Sequence, residues 1–469
     1  MARVYVTDAG GKSYRIPDTA GYARRNETHS LVDGSAMLRL APGPYTVRAE
    51  KGLEFGAAER TVNIPASGSA HVELEIPRFH DMNSRGWYSG DLHIHRAPSE
   101  MGLVLRAEEL NVAPVITRHV GGPRKAVPPP PQITALEVGP ALIATFQNQE
   151  VERLQKGHGA VVLLNTPEPL PDSLPDLFPP DVEFCRRAKA QGGFVDAEKP
   201  IWKNFPVNVA FGVVDAVGVV NNHFHPRDVL LEAESYGSME RDQPVYRTVA
   251  GFAQWMIDLY YSFLNCGFRL PVSAGSASGV MASWPGYERV YVHLGGKFGY
   301  QEWFAALKAG RSIATNGPLL EVYVNGKPPG TEVEWKQGLR AKVDVEARTQ
   351  GRLERVEVVF NGELLRSLPP DGGVLRTTVD VAIPGPGWLA VRCFEPAGST
   401  VRYAHTSPVY FTENGRLPVR KDQAERWAGY IARLAKSLTP PDYPSQDAYR
   451  QAQATLQEAE SIYRKLAER

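Results

Sequence analysis

Cysteine is scarce in this chain, with 3 among 469 residues. Cys185, Cys266 and Cys393 lie too far apart for a zinc-ribbon spacing or a disulfide framework. Each is expected to pack as a small apolar residue. A charge of one sign is missing as well. Lys+Arg and Asp+Glu both total 52, for a formal net charge of zero. That balance argues against nucleic-acid binding, which needs a basic excess or stripe, and gives no attraction to an anionic membrane surface. Apolar runs long enough to cross a bilayer are absent. Met1-Ala2-Arg3-Val4-Tyr5-Val6 lacks the apolar core of a signal peptide and reads as a strand. A soluble protein is expected, periplasmic or secreted only if a leader was removed. Gly192-Gly193 and Gly295-Gly296 lack the spacing of a phosphate loop. Gly275-Ser276-Ala277-Ser278-Gly279 puts Ala where a nucleophile elbow needs Ser.

What is present divides into four zones, as the length of the chain leads one to expect. Residues 1–80 carry turns and alternating strands, such as Tyr45–Ala49 and His71–Ile76, and predict a β-sandwich. Residues 85–318 alternate apolar strands with helical segments, the pattern of a parallel α/β unit. Residues 319–415 return to alternating strands punctuated by Asn325-Gly326 and Asn361-Gly362, which predicts a second β-sandwich. Residues 416–469 are charged and helical, broken at Thr439-Pro440-Pro441, and suggest two helices packed on the body. Pro128–Pro131 reads as a stiff loop. The fold class is multidomain α/β plus all-β.

The richest segment is Gly90-Asp91-Leu92-His93-Ile94-His95-Arg96. Alternation along a strand turns His93 and His95 to the same side. Two imidazoles so placed at a strand end can hold one metal ion between them. Asp91 shares their face, as a further ligand or as a partner that orients one. Later apolar runs also end in chemistry-bearing residues: Arg118-His119, Gln149-Glu150, Asn165, Glu198-Lys199, Asn222-His223-Phe224-His225, and the small-residue run Ser273–Gly279. A parallel barrel gathers the C-terminal ends of its strands at one mouth, so these residues are expected to converge.

Gly90-Asp91-Leu92-His93-Ile94-His95 resembles the first motif of the PHP superfamily, named for polymerase and histidinol phosphatase domains. The layout is similar to its CehA/McbA branch of carbaryl-hydrolase-like metallohydrolases. The shared features are a leading β-domain, Gly310-Arg311-Ser312 with Thr315-Asn316-Gly317-Pro318, and a trailing β-domain carrying Ala404-His405-Thr406-Ser407-Pro408. The resemblance covers most of residues 30–415. It implies a PHP-type distorted (β/α)7 barrel flanked by the two β-sandwich domains, with a helical tail. It also implies a metal site with up to three ions. The chain departs from the pattern. Thr117-Arg118-His119 stands where Thr-Asp-His is usual, Ala197-Glu198-Lys199-Pro200 where Ala-His-Pro is usual, and Gly275–Gly279 lacks both ligands of Gly-Ser-Asp-x-His. Set against the family, this implies a remodelled site with one metal held by His93, His95, Glu198 and His223. Glu150 falls where the family has its bridging carboxylate, as a ligand or a base.

Imidazoles and carboxylates suit zinc, with manganese or iron as alternatives. Arg96, Arg118 and Lys199 are candidates to grip an anionic or developing oxyanion group. Asp91, Asn222, Ser276 and Ser278 complete the candidate substrate-binding set. His119 and His225 are candidates for general acid or base. Trp202, Phe205, Trp255, Tyr260 and Tyr261 are expected in the core or lining a pocket for a sugar or aryl group. His158 is expected to be exposed. The leading expectation is a hydrolase acting on an ester, amide or carbamate of a small-molecule or glycan-derived substrate. A phosphoesterase and a non-catalytic metal- or carbohydrate-binding protein are the alternatives.

Overall fold

The computed structural model describes residues 1–19, 28–120, 134–153, 157–171, 174–232 and 237–469. The proline run Pro128–Pro131 lies outside them. The fold is mixed α/β, with large sheets and helices.

The N-terminal zone forms one antiparallel sheet from Ala2–Asp8, Ser13–Tyr14, Ser30–Val32, Gly43–Glu50 and Ala58–Ile64. It is a single sheet rather than the expected sandwich. His71–Ile76 alternates in sequence but pairs with no strand among the described residues, and its residues are exposed or half-buried. Alternation alone cannot supply a partner for the backbone. The sheet docks on the middle zone instead. Leu31 shares a core with Ile94, Met101 and Leu105, and buried Arg3 pairs with fully buried Glu108.

The middle zone is built on seven neighbouring strands. Their order is Val272–Gly275, Ala216–Asn221, Phe194–Ala197, Gly159–Leu164, Leu142–Arg153, Val112–Val120 and Trp87–Gly90. Four of the pairings are parallel. Gly159–Leu164 is antiparallel to both its neighbours, which departs from the all-parallel expectation. The link from Arg153 to Gly159 is too short for the crossover that a parallel pair needs. Asn165, which follows this reversed strand, therefore lies beside Gln147 and Asn148, on the Leu142 side of Glu150.

Beyond Gly90 the chain stays extended and bonds on both sides. Asp91 N donates to Val112 O at 3.1 Å, and Ile116 N to Ile94 O at 2.7 Å. On the other flank Leu92 N donates to Ala274 O at 3.1 Å and His95 N to Ser278 O at 2.7 Å. Residues 91–95 thus run between the Val112 and Val272 strands, the sixth and first members of the order. Helices Asp181–Ala190, Phe205–Ala210 and Val249–Leu264 follow strands of this zone.

Domain boundaries blur at residue 318. Trp87–Gly90 also pairs with Arg289–His293, which leads through Ser312–Thr315 and Tyr403–Thr406 to Gly387–Phe394 and Arg355–Phe360 in one continuous sheet. A separate sheet of Leu319–Val324, Arg340–Arg348 and Val374–Ala382 shares its core, through Val322, Val343, Val356 and Val391. Asn325-Gly326 and Asn361-Gly362 form the tight turns their sequence predicts, all with positive φ. The tail forms Lys421–Ser437 and Gln446–Ala467. Buried Trp427 stacks on Phe263 with centroids 4.2 Å apart, and Tyr463 Oη donates to Pro206 O at 2.9 Å.

Candidate metal centre

The extended backbone of residues 91–95 turns the two imidazoles to one side, and their Nε2 atoms lie 3.0 Å apart. Two neighbouring strands add to them. His119 and Glu150 face each other in register on Val112–Val120 and Leu142–Arg153. Glu150 lies 3.3 Å from His93 Nε2, 3.1 Å from His95 Nε2 and 2.9 Å from His119 Nε2. His119 Nε2 is also 2.9 Å from Glu152. Candidate ligand atoms of His93, His95 and Glu150 all lie within 4.8 Å of one another, as do those of His119, Glu150 and Glu152. Glu150 belongs to both groups and is the centre of the site. Glu152 escaped the sequence reading, although its spacing from Glu150 on a strand repeats the spacing of the histidine pair.

Glu198 takes a different place from the one expected. Its Oε2 lies 2.7 Å from His93 Nδ1, on the far side of the ring from Glu150. The same oxygen is 2.6 Å from Lys199 Nζ, and Trp202 Nε1 donates to Oε1 at 2.9 Å. A carboxylate at Nδ1 favours a proton on that nitrogen and frees Nε2 to coordinate. Glu198 thus backs His93 rather than joining the convergent set. His223 does not join it either. Its ring stacks on Phe252 at 5.9 Å and meets the edge of Trp202 at 6.2 Å. Its buried Nδ1 and the buried Oδ1 of Asn222 have no hydrogen-bond partner.

The electrostatics follow from burial working against ion pairing. Burial opposes charge on His93, but Glu150 and Glu198 outweigh it and raise its pKa to about 10. His119 is raised to about 10 in the same way by Glu150 and Glu152. Burial dominates at His95, which falls to about 4, and at His223, where burial and Lys199 together lower it to about 3. Burial would raise Glu150, yet His93 and His119 hold it well below the usual carboxylate range. Burial also opposes ionisation of Glu198, but Lys199 and His93 bring it to about 2. A compact, buried carboxylate ringed by imidazole nitrogens has the donor chemistry of a divalent-metal site.

Several candidate substrate-binding groups hold the scaffold instead. Asp91 is fully buried, and its carboxylate accepts from His93 N at 3.0 Å, Ser276 N at 3.0 Å, Ser276 Oγ at 2.5 Å and Gly286 N at 2.7 Å. Alternation aims it correctly, but the Ser273–Gly279 run occupies the position a ligand would take. Ser276 Oγ also accepts from Ser278 N, and Ser278 Oγ accepts from Arg96 Nε at 3.1 Å. Gly275 and Gly279 of this run pack closely against the histidine segment. A Cβ on Gly275 would meet His93 Cβ at 2.4 Å, and one on Gly279 would meet His95 O at 2.2 Å. His225 Nε2 accepts from Ala282 N at 3.2 Å, and its Nδ1 lies 3.4 Å from Asp228. Arg118 makes no ion pair among the described residues. Trp202, Phe205, Trp255, Tyr260 and Tyr261 are core residues, and only Trp202 touches the site. His158 is half-buried rather than exposed and lines a crevice against the C-terminal helices.

Comparison with family models, curated proteins and solved structures returned no match.

Proposed function

We propose that the chain is a metal-dependent hydrolase with one divalent transition metal, zinc by preference, held by His93, His95 and Glu150. The convergence of these donors within 4.8 Å carries the reading. We further propose that the seven middle strands close as a distorted barrel of the PHP type, CehA/McbA branch. The backbone bonds from Leu92 to Ala274 and from His95 to Ser278 support closure. A bound ion with an open position supplies an acidic water, with a pKa of about 7, and polarises a carbonyl oxygen.

The protein's own groups do the rest. Glu198 orients His93 and offsets its charge, with Lys199 and Trp202 fixing Glu198 in turn. His119, between Glu150 and Glu152, holds a proton at Nε2 within reach of the centre, the position of a general acid. Asn222 Oδ1 and His223 Nδ1, buried without partners, are the polar atoms left for substrate. An ester, amide or carbamate ranks above a phosphate ester, because two of the three candidate cations, Arg96 and Lys199, already bond to Ser278 and Glu198.

Metal content and turnover of 4-nitrophenyl acetate and 4-nitrophenyl phosphate test the proposal together. About one metal per chain and metal-dependent acetate hydrolysis, both lost in His93→Ala, is the expected result. Faster phosphate hydrolysis would establish the phosphoesterase alternative. Metal retention without turnover of either ester would favour a binding protein, and two ions per chain would assign His119 and Glu152 to a second metal.

A further inference from the structure

The largest cavity described lies at the other end of the same strands. It encloses ≈ 600 Å³, the size class of a small-molecule site. Ile143 and Thr145 line it from the start of the strand that carries Glu150 near its end. At about 3.3 Å per residue, its lining runs along that strand from Ile143, roughly 20 Å before Glu150, to Gln147, roughly 10 Å before it. Asn165 reaches it only because Gly159–Leu164 runs antiparallel to its neighbours.

Its chemistry is uncharged and rich in amides. Lys308 is the one charged residue in the lining, and its Nζ is already 3.0 Å from Asp215. Tyr300 Oη donates to Asn165 Oδ1 at 2.6 Å and lies 3.0 Å from Thr145 Oγ1. That leaves Asn165 Nδ2 and the side-chain amides of Gln147 and Gln301 without a hydrogen-bond partner among the described residues. Asn165 itself is held at φ +56°, a conformation that a non-glycine residue adopts at some cost. Half-buried Tyr300 and buried Phe304, with ring centroids 5.1 Å apart, add carbon surface beside these groups.

We propose that this cavity is a second binding site, distinct from the metal centre, for a neutral polyhydroxylated ligand of the saccharide class. Each amide offers donors and an acceptor together, the pairing that a sugar hydroxyl satisfies. An anion would meet only Lys308, whose Nζ shares Asp215 with Lys189. A hydrocarbon would strip water from the amides without replacing its hydrogen bonds.

Saturation-transfer NMR on the full chain with D-glucose, D-galactose, cellobiose and D-glucuronate tests this. The neutral sugars should bind and glucuronate should not. Asn165→Gly, which keeps the left-handed backbone, and Gln147→Ala should each weaken binding about fivefold, the range for one lost hydrogen bond. His93→Ala should leave sugar binding unchanged, which separates this site from the metal centre. Circular dichroism of each variant checks that it is folded. The proposal is overturned if no neutral sugar binds, if glucuronate binds equally well, if folded Asn165→Gly and Gln147→Ala bind as the parent does, or if His93→Ala removes binding.

Discussion

The two ends of the middle sheet are made of the same strands and have opposite electrostatics. At one end, Glu150 is ringed by His93, His95 and His119, with every side chain largely withdrawn from water. At the other end, amides and hydroxyls line an open cavity whose one charged side chain, Lys308, lies 3.0 Å from Asp215. Buried charges are tolerated only with partners, so the charged end is crowded and its groups depend on one another. Neutral amides carry a smaller desolvation penalty and can stand without partners beside a solvent-filled space. The difference teaches where substitutions act. At the charged end a single change propagates through several groups, and at the neutral end it stays local.

The strongest way to break this comparison is Glu150→Gln. Removing the central carboxylate takes away one donor of a site type worth roughly 10–16 kcal/mol in total. Metal affinity should fall by more than about a hundredfold, with hydrolysis lost in parallel, as read by competition with a chelator dye. Unchanged affinity would remove Glu150 from the ligand set.

Asp91→Ala comes next and bears on stability rather than on metal. It strands the N–H groups of His93, Ser276 and Gly286, together with the Ser276 hydroxyl, in a fully buried place. A loss of about 3 kcal/mol in urea unfolding is expected from the cost of unsatisfied buried donors. A loss below about 1 kcal/mol would show that water replaces the carboxylate.

Glu198→Gln sharpens the distinction between a ligand and the group behind it. Substitution of an outer partner costs about 10–100-fold in metal affinity. The expected loss is therefore smaller than for Glu150→Gln, and titration of the two variants side by side measures the ranking. An equal or larger loss at Glu198 would make it a direct ligand.

The smallest effect extends the comparison to a buried imidazole outside both ends. His405 is fully buried; Tyr261 Oη is 2.7 Å from its Nε2, and the carbonyl of Thr406 is 2.7 Å from its Nδ1. Burial lowers its pKa to about 3, the Thr406 carbonyl works in the opposite direction, and Arg392 adds to the lowering. The ordinary value of 6.5 applies when the chain unfolds, so the unfolded state binds the extra proton between these values. The contribution is complete above pH 6.5 and is lost as pH falls toward 3, at up to about 1.4 kcal/mol per pH unit. Urea unfolding of His405→Gln at pH 7, 6 and 5 should show a shallower loss than the parent. Parallel slopes would show that His405 does not titrate on unfolding.

The charged end was the more legible of the two in the sequence. Strand alternation alone places His93 and His95 together, and the Asn-Gly pairs at 325–326 and 361–362 mark their turns, because both are local properties of the backbone. Glu198 was correctly placed near His93, but which nitrogen it meets depends on the path of a different strand. Asp91, Ser276 and Ser278 read as site residues because of their types and positions. Their hydrogen bonds to one another arise only when residues 91–96 and 273–279 lie side by side. His71–Ile76 shows the converse, an alternating segment without a neighbour to pair with.

The sequence by itself determined the alternation of strands and helices, the paired imidazoles, the tight turns, and the absence, among the described residues, of a helix long and apolar enough to cross a membrane. These follow from periodicity, conformational preference and composition, which act over a few residues. Tertiary structure alone brought Glu150 among His93, His95 and His119 and set Glu198 on the other side of His93. It also decided that Asp91 fastens two segments, and that a reversed strand brings Asn165 beside Gln147. Those outcomes turn on which strands become neighbours and in which direction they run. That is settled by the length of the links and by the satisfaction of buried polar groups across the whole sheet.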